Sequence, residues 1–179
     1  MAITKIQSES LNLSDNYDFT GTVTGAGESN VPAFFAYTPD GSSQSISAST
    51  TTKLNFQTEL YDTNNAFDNS TNYRFTVPSG HAGKYQFNAN ISFYTSGGAF
   101  DRVFISLYKN GSEYIRFERR SSAIFGASFA QNSLNPVFSD NASVGDYYEI
   151  YGFFSTNIGT YTTSSWLISN YFQGFKISS

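Results

Sequence analysis

The chain has 179 residues, of which 18% are aromatic, 39% hydrophobic and only 13% charged, with a net charge of −4 and no cysteine. That length fits one domain with material for one core. The lack of cysteine excludes disulfide stapling, thiol catalysis and Cys-ligated zinc, and a pI near 4.8 leaves no basic field to attract nucleic acid.

Charged residues usually make up roughly a quarter of a domain. Here their place is taken by 18 Phe and 13 Tyr, side chains that suit pleated sheets, so the composition predicts an all-β protein. The amino-terminal stretch MAITKIQSESLNLSDNYDF lacks the run of roughly 7–15 apolar residues of a signal peptide. No stretch approaches the roughly 18 needed for a spanning helix, so membrane insertion is not expected. Residues 1–31 are polar, rich in Ser, Thr and Asn, and punctuated by Gly21, Gly25 and Gly27. They predict an extended arm or attachment segment, and residues 32–179 the compact domain.

From Pro32 onward, short alternating runs are divided by turn clusters. VPAFFAY comes first; TKLNFQTELYD follows with Leu54 and Phe56; NYRFTV stops at the turn PSGHAG. GKYQFNANISFY then places Tyr85, Phe87, Ala89, Ile91 and Phe93 on one face. RVFISLY and EYIRFE flank Lys109-Asn110-Gly111-Ser112, and Asn-Gly between such runs is a strong hairpin signal. LNPVF, YYEIYGFF and YFQGFKI complete eight to ten strands, a number that fits a jelly-roll sandwich.

Two strands are apolar on both sides. Val103, Ile105 and Leu107 can face a core while Phe104 and Tyr108 point away; Tyr147, Tyr151 and Phe153 oppose Tyr148 and Ile150. An outward aromatic face predicts self-association; scattered exposed tyrosines on an ordinary sheet are the alternative.

The run Phe56, Asp62, Phe67, Phe75, Gly83, Tyr85 and Phe87 resembles the signature of the C1q domain, the trimeric jelly roll related to the tumour necrosis factor fold. The gap before Phe75 is one residue longer than in the family, PSGHAG adds two residues before Gly83, and Ala89 stands where an aromatic is usual. PAFFA, VFISLYKNG, SVGDYYEIYG and YFQGFKI are similar to further family strands, in the family's order. The arm segment TKIQSESLNLSDNYDFTGTVTG is similar to segments of marine bacteriophage tail-fibre and other virion proteins. There is no collagen-like Gly-X-Y run.

The resemblance implies a homotrimer, with Phe172 directed at the threefold axis and Phe34, Phe138 and Tyr151 as core or interface residues. It implies that the loops at 39–46 and 155–165 lie at the apex, where Asp40, Ser42, Gln44, Asn157 and Tyr161 could touch a ligand. Many C1q-like domains bind calcium, which makes Asp101, Asp140 and Asp146 candidate ligands. Asp146 also reads as an acceptor for turn N–H groups.

Catalysis finds little support. His81 is the only histidine and lies in a Pro/Gly turn, so no triad or zinc site can be assembled around it. Glu113 and Glu118 sit with Arg116, Arg119 and Arg120 in one segment that reads as a mixed-charge strand edge or as a patch for sulfated or phosphorylated glycans. The sequons at Asn12, Asn69, Asn90, Asn110 and Asn141 read as chance in an Asn-rich chain. The reading is a non-enzymatic, trimeric fibre-tip protein on a virion that recognises a host-surface glycan or protein. Its alternatives are a capsid-decorating trimer and a secreted bacterial C1q-like binding protein.

Overall fold

A computed structural model of the chain describes residues 32–94, 100–120, 131–155, 161–163 and 170–179. The expected arm, residues 1–31, lies outside them. The strands are β1 (Ala33–Tyr37), β2 (Ser45–Ile46), β3 (Thr52–Lys53), β4 (Thr58–Asp62), β5 (Phe67–Asp68), β6 (Arg74–Thr76), β7 (Gly83–Tyr94), β8 (Arg102–Lys109), β9 (Ser112–Arg120), β10 (Gln131–Leu134), β11 (Val137–Ala142), β12 (Tyr147–Ser155), β13 (Tyr161–Thr163) and β14 (Tyr171–Ser178). Among the described residues nine strands have four residues or more and five are pieces of two or three. The expected eight to ten therefore corresponds to the longer set.

They form two antiparallel sheets. In the first, β2-β13-β7-β14-β1-β4 lie side by side and β10 and β11 also pair with β7; in the second the order is β5-β6-β12-β8-β9, with β3 on β12. LNPVF is not one strand, because Pro136 lies between β10 and β11 and a proline cannot donate to the ladder. Its carbonyl still receives the Ala89 N–H at 3.2 Å. The Asn-Gly hairpin forms as the sequence predicts, with Asn110 (φ 53°) and Gly111 (φ 79°) both left-handed, the geometry that joins two strands across two residues.

Alternation decides which side chains meet between the sheets. Tyr85, Phe87, Ala89, Ile91 and Phe93 of β7 are all fully buried, as are Phe34 and Ala36 of β1, Phe172 of β14, and Tyr148 and Ile150 of β12. Phe34 stacks on Phe75 at 4.8 Å and on Phe67 at 5.0 Å, while Phe87 meets Tyr148 at 4.4 Å. Each such pair contributes about 0.5–1.5 kcal/mol beyond area burial. Gly174 makes room for them: it faces Phe34 on one side and Phe87 on the other, and a Cβ there would stand 2.5 Å from Phe87 Cδ1 and 2.9 Å from Phe34 Cε1.

One end of the sandwich is closed by a polar lock. Lys109 Nζ, at the end of β8, lies 2.7 Å from Asp140 of β11 and 3.0 Å from Asp146 before β12. Asp140 also accepts hydrogen bonds from the Tyr114 and Tyr148 hydroxyls. Asp146 accepts from Asn110 Nδ2 at 2.8 Å and from the Ser143 N–H at 2.9 Å. Burial alone would raise both carboxyls, but hydrogen bonds outweigh it and both are held below their ordinary value, by Lys109, Tyr148 and Tyr114 at Asp140 and by Asn110, Ser143 and Lys109 at Asp146. At Lys109 burial likewise opposes the charge, and the two aspartates prevail and raise its pKa.

Two outcomes are expected. Gly174→Ala overpacks the Phe34–Phe87 contact and costs about 1–3 kcal/mol, read as a lower urea midpoint at matched protein concentration. The lock gives the native carboxylates lower pKa values than the unfolded chain. Its stabilisation is therefore complete above the ordinary value of 3.8 and is lost as pH falls through the native values. Urea titrations from about pH 7 down to about pH 3 should show this acid limb, and Asp140→Asn should make it shallower.

Candidate functional site

The outward faces of the two sheets differ in a way that β-periodicity alone does not reveal. On the second sheet, the outward aromatics of β8 and β12 satisfy one another. Phe104 stacks on Phe153 at 4.5 Å and Tyr108 on Tyr151 at 3.9 Å. Arg116 lies over the Phe104 ring at 4.0 Å, and Arg102 lies 5.1 Å from Phe104 and 5.3 Å from Phe153. Phe104 is only 2% exposed as a result. Arginines of the same chain thus lie over Phe104 and Phe153, while Tyr108 and Tyr151 stack on each other and stay half-buried.

Those arginines are themselves fixed. Arg116 makes a two-pronged bond to Glu113, 2.6 Å on each arm, and Arg102 meets Glu118 at 2.6 Å. The Arg116 guanidinium, assisted by the Ser106 hydroxyl, holds the Glu113 carboxyl below its ordinary value. The charged segment on β9 is thus a strand edge, since β9 ends its sheet, and its mixed charge discourages edge pairing.

The first sheet's outward face has no such cover among the described residues. Phe35 stacks on Tyr171 at 5.1 Å and lies 6.2 Å from Tyr61 and 6.3 Å from Tyr37. Around this cluster, Tyr61 is 45%, Phe175 37% and Val137 60% exposed. The register puts Phe35, Gln173, Asn88 and Val137 in one cross-strand row. Within it Gln173 Nε2 donates to Asn88 Oδ1 at 3.2 Å, and Asn88 Nδ2 donates to Asn135 Oδ1 at 2.7 Å. The face is therefore aromatic and aliphatic around a short amide chain. The sequence pattern did not single out Phe35, Tyr171 or Phe175, although Phe35 and Tyr171 each adjoin a residue that it did, Phe34 and Phe172.

Of the four residues expected in the core or at an interface between copies, three lie in the core of one copy. Phe34 and Phe172 are fully buried and Phe138 is 3% exposed, all three inside the sandwich. Phe172 meets Phe34 edge-on at 5.0 Å; it points inward because it pairs with Ala89 of β7, a core position, so its expected direction towards an axis is corrected. Tyr151 lies on the outward side of the second sheet against Tyr108.

The two loops expected together do adjoin. In β13, Tyr161 pairs with Ile46 and Thr162 with Ser45 of β2, so part of the segment at 155–165 is a strand beside the end of the loop at 39–46. Asp40 is exposed and Ser42 half-buried. The Ser42 N–H closes a turn onto the Pro39 carbonyl at 3.1 Å. Gln44 is committed to the fold: its amide donates to the Lys53 carbonyl at 2.8 Å and accepts from the Asn55 N–H at 3.0 Å. Asn157 and the Tyr161 side chain lie outside what the structure describes.

The calcium candidates separate. Asp140 and Asp146 are joined by Lys109, whose ammonium supplies the cation between them, and the turn role of Asp146 is realised through the Ser143 N–H. Asp101 is exposed on the approach to β8. Among the described residues no three His, Cys, Asp or Glu side chains converge in a metal-holding group. His81 is half-buried; its carbonyl accepts the Tyr85 hydroxyl at 2.7 Å. That phenol is pushed up to about 12 by burial.

No family model and no curated protein matches the sequence. Solved structures do match in shape. The globular domain of zebrafish complement 1qA superposes with a TM-score of 0.54 at 18% identity, over 82% of this chain and 97% of that one. Eiger TNF from S. frugiperda gives 0.60 at 11% identity over 82% and 92%. Murine APRIL gives 0.56 at 13% over 81% and 98%. With two antiparallel sheets packed face to face and strands matching these neighbours over most of their length, the chain has the C1q/tumour necrosis factor jelly-roll fold.

Proposed function

We propose that the chain is a non-enzymatic binding module that acts as a homotrimer. The observation that carries this is the uncovered apolar face of the first sheet. A second and third copy packed on Phe35, Tyr61, Tyr171 and Phe175 would remove those rings from water, and the Gln173–Asn88–Asn135 amides would fix the register of the packing. The amides keep one another as partners within each copy, and only their remaining donors and acceptors need an answering group in the contact.

In this reading the end formed by the 39–46 loop and β13 meets the ligand, a host-surface glycan or protein, with Asp40, Ser42, Asn157 and Tyr161 as contact residues. Calcium at Asp101 would be an accessory. Residues 1–31, which resemble arms of marine phage virion proteins, tether the trimer to a fibre or particle. Three copies at one tip convert weak contacts into useful avidity. Capsid decoration is the competing role, and it places the important surface in the arm.

Light scattering on the purified chain should give about three times the protomer mass of 19.8 kDa, and Phe35→Glu, which leaves the core face of β1 intact, should give a monomer. A wild-type monomer at micromolar concentration would overturn the trimer. Labelled trimer should bind host cells, and Asp40→Ala with Tyr161→Ala should weaken that binding about tenfold or more at unchanged mass. Deleting residues 1–31 should spare cell binding and abolish particle attachment; loss of particle attachment with no cell binding by either form assigns the decoration role.

A further inference from the structure

At the open edge of the sandwich, where β4 ends one sheet and the β5–β6 hairpin ends the other, lies a polar cleft of about 690 Å³. That volume lies within the roughly 300–1,000 Å³ of small-molecule sites. It is on the opposite side of β4 from the apolar face. Glu59 pairs with the core-facing Ala36, whereas Tyr61 pairs with the outward Phe35, and the ladder between them is shifted by a bulge.

The walls are held rigid by two aspartates. Asp62 accepts from the N–H groups of Asn64 at 3.3 Å and Phe67 at 2.7 Å. Asp68 accepts from those of Ser70, Thr71 and Asn72 at 2.9–3.1 Å, and from Asn72 Nδ2 at 2.7 Å. These bonds, the Thr71 N–H foremost, hold the Asp68 carboxyl far below the ordinary range. Asn65 (φ 49°) and Tyr73 (φ 48°) adopt left-handed backbone within the same segment, a conformation that persists only where the surroundings enforce it.

What the walls leave over is a set of hydrogen-bonding groups with no partner among the described residues: the Glu59 carboxyl, the Asn65 and Asn69 amides and the Arg74 guanidinium, all lining the cleft. Among the described residues Arg74 has no ion pair, and its guanidinium is positioned by the Tyr147 ring at 4.2 Å. Burial, followed by the charges of Asp62 and Asp68, raises the Glu59 carboxyl. Donors and acceptors are thus interleaved on a stiff frame. A hydroxyl offers one donor and two acceptor lone pairs, and amides, a carboxyl and a guanidinium at different angles answer neighbouring hydroxyls. With two carboxylates in its lining (Glu59 and Asp68) against one guanidinium (Arg74), the cleft disfavours an anionic ligand.

We infer that the cleft between β4 and the β5–β6 hairpin is a binding site for neutral saccharides, held by Glu59, Asn65, Asn69 and Arg74. The site shares no lining residue with the loop surface at 39–46, and all of its lining comes from one copy.

Saturation-transfer NMR on the full chain, with a panel of neutral gluco-, manno-, galacto- and N-acetylhexosamine oligosaccharides and sialylated or sulfated counterparts at millimolar concentration, tests this directly. At least one neutral oligosaccharide should receive saturation, and its acidic counterparts should not. Glu59→Ala and Asn69→Trp, the second filling the mouth from its rim, should each weaken the signal about tenfold or more with an unchanged thermal midpoint. Glu59→Gln, which keeps shape and loses only charge, should retain part of it. Ser42→Ala, in the other loop, should leave it intact. The inference is overturned if no neutral oligosaccharide responds, if the acidic ones respond equally, if Glu59→Ala and Asn69→Trp both leave the signal unchanged, or if only Ser42→Ala removes it.

Discussion

Strand β7 pairs with β14, β11, β10 and β13, while every second side chain from Tyr85 to Phe93 is sealed in the core. A slip of one residue in any of those pairings would turn the partner strand's apolar set outward. The register of the first sheet is therefore set by one requirement, that Tyr85, Phe87, Ala89, Ile91 and Phe93 stay dry. Gly174 follows from it: Phe87 and Phe34 already fill the space above β14, and a side chain at the position between them has nowhere to go.

The same constraint divides the molecule's surfaces. Once the inner faces are committed, each sheet has an outer face to dispose of. On the second sheet, Arg102 and Arg116 lie across the aromatics and are neutralised by Glu118 and Glu113. Phe104 is sealed by them, and Tyr108, Tyr151 and Phe153 stay half-buried. On the first sheet, an amide chain runs through the aromatics and no cation lies over Phe35 or Tyr171 among the described residues. Two faces of similar aromatic content thus differ in how their rings are met, decided by a few long side chains that reach across strands.

Carboxylates show a parallel division. Asp62, Asp68, Asp140 and Asp146 are consumed by backbone N–H groups, hydroxyls and Lys109, and they act as connectors of loops rather than as ligands. Glu149 is likewise buried against Lys53 at 2.5 Å, and removing one partner of such a pair leaves an uncompensated charge. The groups free to meet a ligand are those left over once the loops are tied, and this is why Glu59 and Arg74, unremarkable in the sequence, stand out in the fold.

Fold class, the inward set of β7 and the hairpin at Asn110-Gly111 were legible in the residues alone, because side-chain alternation and left-handed turn residues are local properties of the chain. It also carried the order of strands that resembles the C1q domain. The segment DTNNAFDNSTNYRF from the end of β4 into β6 is dense in Asp and Asn, and nothing local says which of its groups are consumed and which remain. Tertiary structure alone decided that Phe172 points inward, that Lys109 stands between Asp140 and Asp146, and that Arg116 covers Phe104. Each depends on residues brought together from separate strands, and a one-dimensional pattern records which face a side chain takes but not what lies across from it.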